Sequence, residues 1–399
     1  MMILKLLLAL LMLLSINLCS IEATCYTVFY ESELEALQTI LGAWNESTPD
    51  MMTNLAGWSS SQPYPCYNNQ SWRGVICSYY VDNITDPCNY TVNIAVLRLI
   101  GASIVGTLPS AIGNLTQLGE LTLTDNPGLS GNIPKELGNL TNLVILNLSN
   151  NDLNGSIPAE LFGTGSTLQQ IDLSNNQLSG NVPNLGGANW LQSVKISNNK
   201  LTGPSPPFYD PGTGYGFVNM TELTSMNLSS NYFNGSIIPT SIFNTSTNLT
   251  VLDLSHNNFT GVLPDLSTFS NSLTQLNLSN NDLNGSIPAE LFQQSTLQQM
   301  NLSSNYFNGS IIPTSIFNTS ANLTVLDLSH NNFTGLLPDL STFSNSLTQL
   351  NLSFNSFNPE PYPAWVKGFN QLSMLSLKRN GLSGPFPYDL ASLPNLEIL

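Results

Sequence analysis

Charge is the first thing this sequence is short of. Only 9% of its 399 residues are Asp, Glu, Lys or Arg, against roughly 25% in an ordinary soluble domain. Lys and Arg number 9 against 25 acidic residues, giving a formal net charge of −16. A surface of that sign repels a phosphate backbone, which excludes nucleic acid as a partner. Histidine is scarcer still, limited to His256 and His330, and cysteine is absent after Cys88. Beyond the first residues no apolar run is long enough to cross a bilayer. These shortages leave little material for metal or acid–base chemistry.

Polarity is carried instead by Asn, Ser and Thr, and export explains much of the rest. The start, MMILKLLLALLMLLSINLCSIEA, places one Lys before a short apolar run from Leu6 to Leu14, then small residues at Cys19, Ser20 and Ala23. That order is expected of a secretory signal over residues 1–23, with an uncleaved anchor as the alternative. Cys25, Cys66, Cys77 and Cys88 then remain, an even set that an oxidising compartment would pair in one of three connectivities. Their spacings of 41, 11 and 11 contain no C-x₂₋₄-C pair, so a zinc site is the weaker reading. Asn-X-Ser/Thr sequons at Asn45, Asn83, Asn114, Asn154, Asn219, Asn248 and Asn332 are further candidates for glycans on an exported surface.

The chain aligns on itself. A phrase L-x-L-x-x-N-x-L-x-G-x-I-P begins at Leu97, Leu121, Leu146, Ile171, Val194, Met226, Leu252, Leu276, Met300, Leu326, Leu350 and Leu375. Starts are 23 to 26 residues apart except for one step of 32. In LNLS (Leu146–Ser149) the two leucines point to one face of a short strand and Asn147 to the other. Asn151, Asn176, Asn199, Asn231, Asn257, Asn281, Asn305, Asn331, Asn355 and Asn380 stand where each coil turns inward. There an amide that both donates and accepts can satisfy backbone groups otherwise buried unpaired. Gly155 permits the sharp bend, and Ile157-Pro158 opens an extended outer segment. Neighbouring repeats supply each other's core, which lets whole tiles be copied. Leu146–Phe162 recurs unchanged as Leu276–Phe292. Met226–Ser279 recurs 74 residues on as Met300–Ser353, differing only where Ala321 replaces Thr247 and Leu336 replaces Val262.

With G-x-I-P in most repeats, the chain resembles the plant-type leucine-rich-repeat family of receptor ectodomains and secreted inhibitors such as polygalacturonase-inhibiting proteins. The N-terminal segment adds to the likeness. SELEALQTILGAW (Ser32–Trp44) reads as an amphipathic helix with Leu34, Leu37, Ile40, Leu41 and Trp44 on one side. Pro65, Cys66, Trp72, Gly74, Val75 and Cys77 follow in the family's cap arrangement. The resemblance implies an α/β repeat solenoid, a superhelix with a parallel β-sheet on its concave face and 3-10 or irregular segments on its convex face. It implies an N-terminal helical disulfide cap over residues 24–93, with Cys66 bridged to Cys77 and Cys25 left for Cys88. About twelve repeats then occupy residues 94–399. Three departures stand out: Cys88 sits in an added segment, SYYVDNITDPC; residues 203–218 form an insert, GPSPPFYDPGTGYGFV; and the sequence ends inside the leucine ladder Leu390, Leu393, Leu396 and Leu399. Membrane attachment is therefore expected only through sequence beyond residue 399.

Chemistry finds little support. His256 and His330 occupy copies of one phrase, about 15 Å apart at the spacing of three stacked strands, too far for one metal. Asp253 and Asp327 share that offset, which exceeds the separation of a glycosidase pair; with Asp172 they read as solvated residues of the tile. Phosphate loops and nucleophile elbows are missing. The expectation is a non-enzymatic protein without cofactor or metal. Contact surfaces remain. Arg98, Lys195 and Phe354 interrupt a polar concave lining, and Lys378 with Arg379 forms a basic spot able to receive a peptide carboxylate. Phe208, Tyr209, Tyr215 and Phe217 in the insert are candidate anchors. Sequons at Asn147, Asn227, Asn277, Asn301 and Asn351 lie on the concave strand face, where glycans would block binding. The expected function is that of a secreted or cell-surface protein binding an extracellular protein, peptide or glycan, in the manner of a receptor-like ectodomain. The alternatives are an inhibitor of cell-wall-degrading hydrolases and a structural wall or matrix glycoprotein.

Overall fold

The computed structural model describes residues 27–29, 31–44, 55–58, 65–66, 72–81, 90–204, 220–236, 248–263, 272–310, 322–385 and 388–398. The signal-like start, Cys25, Cys88 and the aromatic part of the insert lie outside these residues. The chain forms a leucine-rich-repeat solenoid built on two sheets, parallel throughout except where the cap strand Val75–Val81 pairs antiparallel with Tyr90–Ile100. The larger has 14 strands, one from each repeat plus those of the cap. All twelve phrase starts fall in register, from Leu97↔Leu121 to Leu350↔Leu375. The 32-residue step changes nothing in the sheet, since Val194 still pairs with Met226. A last bridge joins Met374 to Ile398. The L-x-L alternation causes this: a slip of one residue would turn every leucine out of the core.

The x-L-x-G part of the phrases from Leu97 to Leu326 makes a second, lateral sheet of 10 parallel strands, from Val105–Thr107 to Asn332–Phe333. Gly155 closes one such strand at φ 71°, a conformation that L side chains avoid. Short 3-10 turns follow where Pro ends the lateral segment, as in Pro158 before Ala159–Phe162, and these carry Leu161 and Phe162 inward. Each coil thus has a concave strand, a lateral strand and a convex turn around one apolar centre. Leu146, Leu148 and Leu153 are wholly buried there, each contributing roughly 1.5–3 kcal/mol of burial. In the duplicated block Phe takes the lateral apolar position. Phe233 stacks on Phe259 at 6.2 Å and, three repeats on, Phe307 on Phe333 at 6.4 Å.

The Asn column stitches coil to coil. Asn281 Nδ2 donates to the carbonyls of Leu254, Leu278 and Ser279 at 3.0 to 3.2 Å, while its Oδ1 accepts the N–H of Phe259 at 3.1 Å. Asn126 stands in the same column, donating to Leu99 and Thr124 and accepting from Ala102 and Ile104.

The first coil is covered by helix α1, Glu31–Trp44, which buries Ala36, Leu37, Ile40, Leu41 and Trp44. Trp44, Trp58 and Trp72 pack in a row as tilted rings with centroids 5.9 and 4.8 Å apart. Trp44 Nε1 donates to the Thr107 carbonyl and Trp58 Nε1 to that of Arg73. A disulfide joins Cys66 to Cys77 beside them. Glu33 is buried under the helix, where its Oε2 accepts the N–H of Ile94 at 2.8 Å. Burial pushes its carboxyl up, and that hydrogen bond only partly offsets the shift.

Candidate binding surface

On the concave face the residue between the paired apolar positions is held from behind. Asn147, Asn227, Asn277, Asn301 and Asn351 each accept, at Oδ1, the N–H of the Ser two residues on, at 3.0 to 3.2 Å. The Ser hydroxyl donates to the same oxygen at 2.7 to 2.8 Å. Asp172, Asp253 and Asp327 make the same turn with Ser174, Ser255 and Ser329. These local bonds fix the side chains and keep them half-buried. Lys195 shares the column and is exposed. Between Asn227 and Val325 the sheet curves into a trough of about 370 Å³, lined by Asn, Asp, Gln, Val and the sheet backbone.

At the end of each concave strand a residue adopts the left-handed conformation. Asn150, Asn175, Asn198 and Asn280 do so at φ between 53° and 59°, as do His256, His330, Phe354 and Arg379. Asn tolerates this conformation; a bulky side chain does so only when its surroundings compensate. The amides bridge repeats: Asn150 Nδ2 donates to Asp125 Oδ1 at 2.9 Å and Asn175 Nδ2 to Asn150 Oδ1 at 2.7 Å. Where the row ends, rings and cations replace amides. His330 stacks on Phe354 at 4.1 Å, and the Arg379 guanidinium and Lys378 ammonium lie 5.1 and 5.7 Å from the Phe354 centroid. Neither cation has a carboxylate partner among the described residues.

Arg98 is differently placed. Its guanidinium forks onto Glu120, with Nε–Oε1 at 2.7 Å and Nη2–Oε2 at 2.6 Å. The pair holds the Glu120 carboxyl below the usual carboxylate range and leaves Arg98 engaged. His256 and His330 stand in separate coils, His256 beside Asn280 Nδ2 at 3.3 Å. No group of three metal-ligating side chains occurs among the described residues. Asn114, Asn154, Asn248 and Asn332 are at the surface; Asn45, Asn83, Asn219, Phe208, Tyr209, Tyr215 and Phe217 lie outside the described residues. Sequence reasoning passed over Tyr232 and Tyr306, which stand 57% and 55% exposed on the lateral sheet. Their one signal was the duplication itself.

Comparison with known proteins agrees with this geometry. Residues 31–78 match the leucine-rich-repeat N-terminal domain, and residues 142–163, 167–187, 221–283 and 322–343 match leucine-rich repeats. The plant peptide hormone receptor RGFR1, solved in complex with RGF2, is 29% identical with a TM-score of 0.63, over 77% of this chain and 54% of that one. The chain is a plant-type leucine-rich-repeat protein. A second member, the Arabidopsis receptor kinase HAESA in complex with the peptide hormone IDA and the co-receptor SERK1, is 26% identical with a TM-score of 0.58, over 92% of this chain and 65% of that one. A plant ice-binding protein shares the repeat fold at 24% identity and a TM-score of 0.57, over 89% of this chain and 96% of that one. This leucine-rich-repeat chain spans about half the length of receptor structures such as RGFR1. Among curated proteins no match was found. No helix among the described residues is long and apolar enough to cross a membrane.

Proposed function

We propose that this chain is the extracellular, non-enzymatic ligand-binding part of a receptor-like protein, and that it holds an extended peptide along its concave rim. The observation that carries the reading is the cluster of His330, Phe354, Lys378 and Arg379. It sets two cations without carboxylate partners among the described residues against a ring held in a strained conformation, within a chain of net charge −16. Self-repulsion and strain argue against its arising as a neutral surface feature. A carboxylate fits such a site, because both cations donate hydrogen bonds and neither is already neutralised. The neighbours solved with peptide hormones support a peptide ligand. Surface sequons such as Asn114 and Asn248 are the expected glycan positions.

The test compares short peptides bearing a free C-terminal carboxylate with their C-terminal amides, titrated calorimetrically onto the secreted chain. The acids should bind about tenfold or more tightly, and Lys378→Glu with Arg379→Glu should erase the difference. Equal affinity for acid and amide would sink the reading.

A second reading rests on the lateral sheet. Asn154, Ser179, Thr202, Asn234, Thr260, Asn284 and Asn308 are exposed small polar groups, one per strand, each offset by two residues from register with the next. A repeated face of small uncharged groups, one per coil, could order water at an ice face. Thermal hysteresis of the purified chain decides it: freezing without hysteresis discards the idea.

A further inference from the structure

The concave trough between Asn227 and Val325 is chemically one-sided. Backbone N–H groups hold the Oδ1 atoms of Asn227, Asn277 and Asn301 from behind. An amide nitrogen could not accept those bonds, so the orientation is fixed and each Nδ2 is the outward end. None of these three NH₂ groups has a partner among the described residues. Exposed Gln275 and Gln299 add two more amides on the neighbouring row of the same sheet. Val251 and Val325 contribute apolar surface beside them.

The lining also says what does not fit. It contains no Lys, Arg, His or aromatic ring, and its one charge is Asp253. An anionic chain would meet that carboxylate and the net charge of −16 with no cation to offset them. A peptide would lack the pockets and aromatic anchors that give side chains their hold. A neutral, hydroxyl-rich ligand suits outward amide donors, since each hydroxyl oxygen accepts. Period decides its form. Asn277 and Asn301 stand on adjacent strands, about 4.8 Å apart, with Asn227 two strands from Asn277 across Asp253, and a β-1,4-linked glycan advances by nearly that strand spacing per sugar. Its ring faces carry C–H groups that can rest on Val251 and Val325.

We propose that this trough binds a neutral β-1,4-linked glycan chain laid across the strands, with the adjacent amides of Asn277 and Asn301 facing successive sugars and Asn227 a further one. The proposal goes beyond the peptide reading and uses none of the residues around Phe354. It is tested on the full chain produced without N-glycans, because Asn227, Asn277 and Asn301 are themselves sequon residues.

Calorimetric titration with cellohexaose, xylohexaose and mannohexaose should show binding of at least one, and an oligogalacturonide should show none. Asn277→Asp with Asn301→Asp removes two donors and keeps the turn, as Asp253 and Asp327 already make it. Binding should fall about tenfold or more while the circular dichroism and melting curve stay unchanged. Gln275→Glu with Gln299→Glu, at exposed positions, should weaken it in the same direction. Lys378→Glu with Arg379→Glu should leave it intact, which separates this site from the peptide cluster. Failure of all three neutral glycans, equal binding of the oligogalacturonide, or indifference to both amide pairs would overturn the proposal.

Discussion

A ladder amide such as Asn281 bonds both its own coil and the one before it, so its loss is felt in two repeats. Asn281→Ala would strand the N–H of Phe259 in the core and take one of two amide donors from the carbonyls of Leu254 and Leu278, which keep Asn257 and Asn305. Each buried group left unpaired costs roughly 1–3 kcal/mol. The expected loss is about 2–4 kcal/mol, partly relieved by a water. Chemical denaturation should show a lowered midpoint, with faster amide exchange at Phe259 than in distant repeats. A change under about 0.5 kcal/mol would mean that the ladder does not hold the coils closed. Most ladder positions were legible because the phrase marks them. Asn126 was not, since Pro127-Gly128 lengthens the phrase before Leu129 and shifts the pairing there. The stack of His330, Phe354 and Arg379 was also hidden. Sequence places them in three repeats, and only the shared left-handed conformation aims them at one another.

Among the elements, α1 is the one whose attachment depends on proton binding. Its Glu33 carboxyl has a folded pKa raised above 4.5, with burial the largest cause. The folded cap therefore holds that proton more tightly than the unfolded chain does. This contribution to stability is fully present below the unfolded value and is lost as pH rises through the raised one. Glu33→Gln has no proton to lose. Melting curves of the wild-type chain should shift down between pH 4.5 and neutrality, while those of the variant should stay flatter across the same window. Parallel curves would show that Glu33 does not govern cap docking. The cap helix could be read from its apolar spacing, and the concave strands from L-x-L. The lateral sheet could not. Its x-L-x-G segments are short and rich in Gly and Asn, which favour turns in isolation. They become strands because the concave strands already set neighbouring coils one strand apart.

For the whole molecule, register is the controlling property. Stability in such a stack is close to a sum of repeat terms and neighbour interfaces, so removing whole tiles should shorten it without unfolding it. Deleting residues 226–299 joins Ser225 to Met300 and recreates the Ser-Met-Asn strand of residues 225–227. It takes three strands from each sheet and leaves the cap, the Phe354 cluster and every remaining interface type in place. The solenoid should be about 14 Å shorter by small-angle scattering, with a smaller denaturant slope and an unchanged pattern of protected amides per repeat. A deletion of similar size that stops mid-phrase, residues 226–285, should instead expose the coils on either side of the join and unfold the repeats C-terminal to it. The two deletions distinguish a fold fixed by local register from one that needs its full length. The in-register deletion should also leave the carboxylate preference of the Phe354 cluster intact while abolishing glycan binding, because Asn227, Asp253 and Asn277 go with the excised tiles and Asn301 remains alone.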